Sequence, residues 1–172
     1  MKQLITFDGH APSVHPSAFV APTATLIGQA SLGADSSAFY GVVVRGDTNT
    51  ISVGAGSNLQ DNVVLHADPG FPTAIGDGVS VGHGAVVHGC TVEDNCLIGM
   101  GATIMNGAVI GAGSLVAGGA VVLEGAVIPP GSLVAGVPAK VRRELGAEEI
   151  AAVRENAENY VQLARKHKDI HG

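Results

Sequence analysis

The strongest constraint on the fold is an aliphatic residue that returns at every sixth position. The unbroken series is Ile98, Ile104, Ile110, Val116, Val122, Ile128 and Val134. A half-buried strand repeats every two residues and an amphipathic helix about every 3.6, so neither explains a period of six. Six-residue units that each form one short strand and a corner build a parallel β-helix. The sequence therefore predicts an all-β coil with three units in each turn.

The same period continues towards the amino terminus with a few irregular steps. It lengthens at "GDTNT" and at "ADPGFPT", where we expect loops. After "AGVPAK" the apolar spacing becomes helical, with acidic residues early and lysines late, as the helix dipole prefers. The expected architecture is a single domain over residues 1–172. It has a β-helix of hexapeptide repeats at about 14–137 and a C-terminal α-helix at about 146–168 packed alongside.

Composition excludes several function classes. The net charge of −6 gives no support to nucleic-acid binding. Polar residues or glycine interrupt every apolar stretch before it reaches the length of about 20 residues that spans a membrane. The amino-terminal segment "MKQLITFDGHAPS" lacks the pattern of a signal peptide, so a cytoplasmic location is the expectation. The two cysteines, Cys90 and Cys96, are interpreted as small buried hydrophobes rather than metal thiolates.

Counting repeat steps predicts which side chains stack. Leu65 and Val87 are three steps apart and therefore share a face of the coil. His66 and His88 each follow by one position, so their side chains should stack at the inter-strand spacing of about 4.8 Å. Arg45 falls in the same column one turn earlier. The sequence thus predicts a histidine pair.

A third histidine, His83, falls on the preceding face, in a column with Asp61 and Met100. Outward side chains on adjacent faces of a triangular coil diverge. His83 of the same chain is therefore poorly placed to reach His66 and His88. A third imidazole can instead come from a neighbouring chain at a symmetric interface. Three imidazoles suit zinc, and iron or cobalt as well. We therefore expect a metal site that trimerisation completes.

Four segments together resemble the gamma-class carbonic anhydrases. They are "RGD" at 45–47, "NLQDNVVLH" at 58–66, "VGHGAVVHG" at 81–89 and "IGMGATIMNGAVIG" at 98–111. The resemblance implies a left-handed β-helix and a homotrimer with three metal ions between subunits. It also implies that His66 and His88 come from one chain and His83 from the next. The implied reaction is the reversible hydration of CO2 to bicarbonate.

The resemblance also implies roles for polar residues around the metal. Gln60 matches the residue that orients metal-bound hydroxide, and Tyr160 approaches the metal pocket. Family residues at the subunit interface and around the metal site are matched here by four residues, Arg45, Asp47, Asn58 and Asp61. The chain departs from archaeal members in its loop after His66, which offers Asp68 but no glutamate to carry protons. Slow turnover is therefore expected.

Two other classes of function remain open from the sequence. Hexapeptide-repeat acyltransferases share this fold, and fold does not determine function. They need one histidine as a general base, and a metal hydroxide could alternatively hydrolyse an acyl-CoA thioester. A non-catalytic trimer is the third alternative. Its mark would be a closed four-ligand metal site, for which Cys90 is the nearby candidate.

Overall fold

The computed structural model describes residues 3–171, which form a parallel β-solenoid of about 7 turns followed by one helix. The hexapeptide repeats indicate a left-handed β-helix, as the resemblance to the gamma-class carbonic anhydrases implies. The first face contains β1 (Gln3–Ile5), β8 (Val64–His66), β11 (Val86–His88), β14 (Thr103–Ile104) and β17 (Val121–Val122). The second face contains β2 (Ser13–Val14), β9 (Thr73–Ile75), β12 (Thr91–Val92), β15 (Val109–Ile110) and β18 (Val127–Ile128).

Two long strands join the first and second faces. They are β4 (Thr25–Leu32) and β6 (Val43–Val53), and each contributes its first half to one face and its second half to the other. The third face contains β3 (Phe19–Val20), β5 (Ser37–Ala38), β7 (Asn58–Leu59), β10 (Ser80–Val81), β13 (Leu97–Ile98), β16 (Leu115–Val116), β19 (Ser132–Gly136) and the antiparallel β20 (Ala139–Glu144). The solenoid therefore starts at Gln3, earlier than the expected residue 14, because β1 pairs in parallel with β4.

The residues of the six-residue series point into the solenoid. Val44 pairs with Leu65, Leu65 with Val87, and Val87 with Ile104, so one column of aliphatic side chains fills this part of the core. All four are fully buried. Burying a side chain of this size contributes about 1.5–3 kcal/mol, so the stacked aliphatics hold consecutive turns together. This alignment also sets the register of the outward residues that follow them.

The helix α1 (Ala147–His171) lies along the third face and contacts β3, β5, β7 and β10. It extends past the expected end at residue 168, because its last turn has partners on the first turns of the solenoid. The Tyr40 hydroxyl lies 2.9 Å from Nδ1 of His167 and 2.9 Å from Nε2 of His171. Lys168 donates to the carbonyl of Pro16 at 2.6 Å. These contacts anchor the carboxyl end of the helix beside the amino-terminal turns.

Cys90 and Cys96 lie in the core as free thiols. Burial raises the pKa of the Cys90 thiol to about 12 and that of Cys96 to about 11. Both therefore stay protonated at neutral pH, as expected for small buried hydrophobes. No helix within residues 3–171 is long and apolar enough to cross a membrane.

Candidate metal centre

Strand register places Arg45, His66 and His88 in one outward column on the first face. Arg45 of β6 pairs with His66 of β8, and His66 pairs with His88 of β11. The two imidazole centroids are 4.9 Å apart, and Nδ1 of His66 lies 2.8 Å from Nε2 of His88. The stacked histidine pair predicted from the repeat count is thus present in the structure.

The outer nitrogen of His66 faces a carboxylate. Its Nε2 lies 3.1 Å from Oδ1 of Asp47, and Arg45 donates to the other oxygen of the same carboxyl. Burial opposes ionisation of Asp47, but the hydrogen bonds from Arg45 and His66 outweigh it and lower its pKa to about 2. Asp47 is therefore ionised at neutral pH and only accepts hydrogen bonds. It follows that Nε2 of His66 bears the hydrogen and Nδ1 bears the lone pair.

The outer nitrogen of His88 faces an amide oxygen. Its Nδ1 lies 2.7 Å from Oδ1 of Asn106, so Nδ1 must donate and Nε2 bears the lone pair. The nitrogens of His66 and His88 that face each other at 2.8 Å then hold two lone pairs and no hydrogen. Two lone pairs at that distance repel unless a shared proton or a metal ion lies between them. The outer partners of the two rings therefore prepare a site for a cation.

A metal ion fits this pair with little movement. Two nitrogen ligands about 2.05 Å from a tetrahedral zinc are about 3.3 Å apart, so the rings need to separate by about 0.5 Å. Imidazole nitrogen also binds iron and cobalt, so the donor set alone does not select the metal. His66 and His88 are only partly exposed, with 14% and 29% of each side chain accessible.

Asp68 lies close to this pair, and sequence reasoning did not place it there. Ligand atoms of His66, Asp68 and His88 lie within 4.8 Å of one another, and among residues 3–171 they form the one His/Cys/Asp/Glu cluster suited to a metal. Oδ1 of Asp68 is 3.8 Å from Nε2 of His88. A tight turn in which Asp68 and Phe71 exchange backbone hydrogen bonds returns the chain to the histidines. The turn from Asp68 to Phe71 is the one feature that could have indicated this position of Asp68, because the repeat count stops at the loop.

His83 lies apart from the pair within one chain. It follows β10 on the third face, its Nδ1 is 3.0 Å from Oδ2 of Asp61, and 43% of its side chain is exposed. The predicted neighbours of its column are therefore correct for Asp61, and the predicted divergence from His66 and His88 is seen. Whether His83 reaches the pair of another chain stays a prediction.

His83 lines a cleft of about 370 Å³ between the third face and α1, together with Gln60, Met100, Asn156 and Tyr160. Gln60 donates from Nε2 to Oδ1 of Asn58 at 3.1 Å, which leaves its oxygen on the opposite side of the amide. Asn58 in turn donates to Ser80 at 2.9 Å. Gln60 and Tyr160, the two residues with predicted catalytic roles, thus lie beside His83 and not beside the stacked pair.

The helix contributes two polar side chains to this cleft. Burial, and secondarily the charge of Asp61, raises the pKa of Tyr160, so its hydroxyl stays protonated at neutral pH. Oδ1 of Asn156 is buried and has no hydrogen-bond partner among the described residues. Sequence reasoning missed Asn156, because the helical period does not tell which residues face a cleft that forms at the edge of the helix.

Cys90 takes no part in either group of residues. It is 1% exposed, and burial keeps its thiol protonated. Its side chain lies in the core and is not part of the cluster of ligand atoms formed by His66, Asp68 and His88, so a closed four-ligand site that uses Cys90 does not fit the structure.

Comparison with known proteins agrees with these features. Residues 72–106 match the family model described as bacterial transferase hexapeptide (six repeats). Carbonic anhydrase of Geobacillus kaustophilus is 41% identical over 162 residues, which is 94% of this chain and 89% of that protein. Gamma carbonic anhydrase 2, mitochondrial, of Arabidopsis thaliana is 47% identical over 163 residues, 91% of this chain. The match spans only 59% of the plant protein's length.

The solved structures include a hexapeptide transferase family protein from Anaplasma phagocytophilum. It superposes with a TM-score of 0.92 at 41% identity and covers 95% of this chain and 97% of that chain. The solenoid and its terminal helix therefore recur as a unit in known structures. On the identity and coverage of its relatives, together with the histidine column, the chain belongs to the gamma carbonic anhydrase family.

Proposed function

We propose that this chain catalyses the reversible hydration of CO2 to bicarbonate at a metal centre formed between the subunits of a homotrimer. In this proposal His66 and His88 of one subunit and His83 of the partner subunit hold a zinc ion, and iron or cobalt are the other candidates. The observation that carries the proposal is the stacked pair of His66 and His88, whose outer hydrogen-bond partners leave the two facing nitrogens free to bind a metal ion.

Three observations support a site shared between subunits. The pair provides two imidazole ligands, whereas a catalytic zinc site commonly uses three protein ligands and one open position. His83 is the third imidazole of the motif, and its ring is 43% exposed on a different face, where a partner could reach it. The relatives named carbonic anhydrase match over nearly the whole solenoid and helix.

When bound, zinc supplies a hydroxide nucleophile at neutral pH, because it lowers the pKa of water to about 7. The residues of this chain orient that chemistry. Asp47 holds the ring of His66 through Nε2–H and leaves Nδ1 free to bind. Asn58 holds the Gln60 amide, so that Gln60 presents a fixed oxygen in the cleft. Tyr160 and Asn156 line the same cleft from the helix side and narrow the space near His83.

Substitution of Gln60 tests this assignment. We expect Gln60→Ala to lower kcat for CO2 hydration about a hundredfold, because the free amide oxygen of Gln60, which would accept a hydrogen bond and so orient the nucleophile, is lost. Zinc content should not change, since Gln60 is not a proposed ligand. Stopped-flow hydration assays on the zinc-loaded proteins and elemental analysis measure the two effects. An unchanged kcat would remove Gln60 from the catalytic group.

The absolute rate of the unmodified protein is expected to be low. In the loop after His66, the acidic residue is Asp68, and Asn106 already donates to its carboxylate. Thr48 follows Asp47 at the position where a second acid would be expected. A rate equal to that of a relative with glutamates in this loop would contradict this part of the proposal.

Acyl-CoA chemistry is the second candidate function. The cleft beside His83 has an apolar wall that includes Leu97, Leu115 and Met100, and its volume of about 370 Å³ exceeds the needs of CO2. The structural relative described as a hexapeptide transferase favours the same class. Acyl-CoA turnover that persists after chelation would support a transferase, and turnover lost on chelation would support a metal-dependent thioesterase.

A further inference from the structure

A short loop places the carboxylate of Asp68 close to His88. Asp68 and Phe71 exchange two backbone hydrogen bonds, at 3.2 and 2.9 Å, and Nδ2 of Asn49 donates to the Asp68 carbonyl at 3.0 Å. The Phe71 side chain lies against the turns at Gly89 and Gly107. The loop is therefore held on both sides, and its carboxylate has a defined position.

That carboxylate determines the orientation of the Asn106 amide. Nδ2 of Asn106 donates to Oδ2 of Asp68 at 2.9 Å. A carboxylate only accepts hydrogen bonds, so the NH2 group of Asn106 must face Asp68 and its oxygen must face the other way. The oxygen then lies 2.7 Å from Nδ1 of His88 and accepts its hydrogen. A reversed amide would place two acceptors against each other at Asp68.

The backbone leaves room for this arrangement at one position. A Cβ on Gly89 would clash with Oδ1 of Asn106. Gly89 also has a positive φ of 57°, so a side chain there is disfavoured on two grounds. The absence of a side chain at residue 89 lets the Asn106 amide reach across to His88.

We propose that Asp68 and Asn106 form a positioning pair for His88. Asp68 orients the Asn106 amide, and the amide keeps the hydrogen of His88 on Nδ1, so that Nε2 is available for a metal ion. In this proposal Asp68 acts through Asn106, because its Oδ2 already accepts the hydrogen bond from Nδ2 of Asn106. This inference rests on the metal site of the proposed function. Partners of this kind typically change metal affinity 10–100-fold.

An exchange of the two side chains tests the pair, because Asp and Asn have nearly the same shape. In Asp68→Asn the Asn106 amide loses its fixed orientation, and we expect zinc affinity to fall about tenfold. In the double variant Asp68→Asn/Asn106→Asp, the new carboxylate at 106 accepts from His88 whichever way it turns, and the amide at 68 can donate to it. We expect zinc affinity to recover. Competition with a chromophoric chelator measures both values.

The tautomer of His88 gives a second readout that does not depend on zinc or on turnover. Long-range 1H–15N correlation spectra of zinc-free protein in mildly alkaline buffer should show the Nδ1–H form of His88 in the unmodified chain and in the double variant. Asp68→Asn should show a mixture of the two tautomers. This readout separates orientation from the loss of one negative charge near the ion.

Two results would overturn the positioning pair. An Asp68→Asn variant with unchanged affinity and tautomer would show that Asp68 does not orient Asn106. A loss of affinity that the double variant fails to restore would show that Asp68 binds the ion directly. Protein that binds zinc with the expected tautomer but does not hydrate CO2 would refute the proposed function and leave the positioning pair intact.

Discussion

Zinc content is expected to fall to nearly zero when His88 is replaced by alanine. The substitution removes the ligand nitrogen that faces Nδ1 of His66 at 2.8 Å, and with it the paired site for a cation. Loss of a direct ligand should weaken binding more than loss of its outer partner, hence by more than about a hundredfold. Elemental analysis after dialysis against zinc of known concentration gives the value. CO2 hydration should be lost together with the metal.

His15→Ala is the matched control for this experiment. His15 is an exposed imidazole that hydrogen-bonds Ser17 at 2.9 Å, away from the histidine column. Its removal should leave zinc content and hydration unchanged. Full zinc content in His88→Ala, with a far-UV spectrum like that of the unmodified protein, would refute the metal site on the first face.

A large loss of stability is expected when Gly99 is replaced by alanine. An added Cβ would lie 2.5 Å from the backbone nitrogen of Gly118 and 2.7 Å from the carbonyl carbon of Ala117, both in the next turn. Backbone atoms cannot change rotamer to give way, so the two turns must separate. Overpacking usually costs about 1–3 kcal/mol and occasionally more, and we expect Gly99→Ala to reach about 3 kcal/mol or exceed it.

Gly101→Ala is the control, two residues further along the same turn. Gly101 has a positive φ of 68°, but nothing lies within 4 Å of its added Cβ. It should lose only the cost of placing an L-residue in the left-handed region, about 1–2 kcal/mol. Urea unfolding at matched protein concentration compares the two, since subunit association would make stability depend on concentration. A smaller loss for Gly99→Ala than for Gly101→Ala would contradict close contact between turns.

The stacked histidine pair could be predicted from the sequence because residues three repeats apart in the chain lie one above the other in the solenoid. Once Leu65 and Val87 share a column, the next residues must stack, and the structure confirms the pairing of His66 with His88. The divergence of His83 followed from the same count.

Counting repeat steps could not predict the polar residues that surround the histidines. Asp68 lies in a loop whose path depends on the turn that ends at Phe71, and a period of six contains no information about loops. Asn106 reaches His88 only because residue 89 has no side chain. Asn156 depends on how α1 is rotated against the third face. Each of these is a tertiary contact that the six-residue period does not specify.

The central claim is that each metal site combines histidines from two chains, and subunit complementation tests it most directly. One variant, His83→Ala, keeps the pair, and the other, His66→Ala/His88→Ala, keeps His83. Each alone should bind almost no zinc. Co-expressed in equal amounts, they should regain about a quarter of the full zinc content, because each mixed cyclic trimer contains one intact site. No recovery in mixed trimers, or full zinc content in His83→Ala alone, would contradict the account.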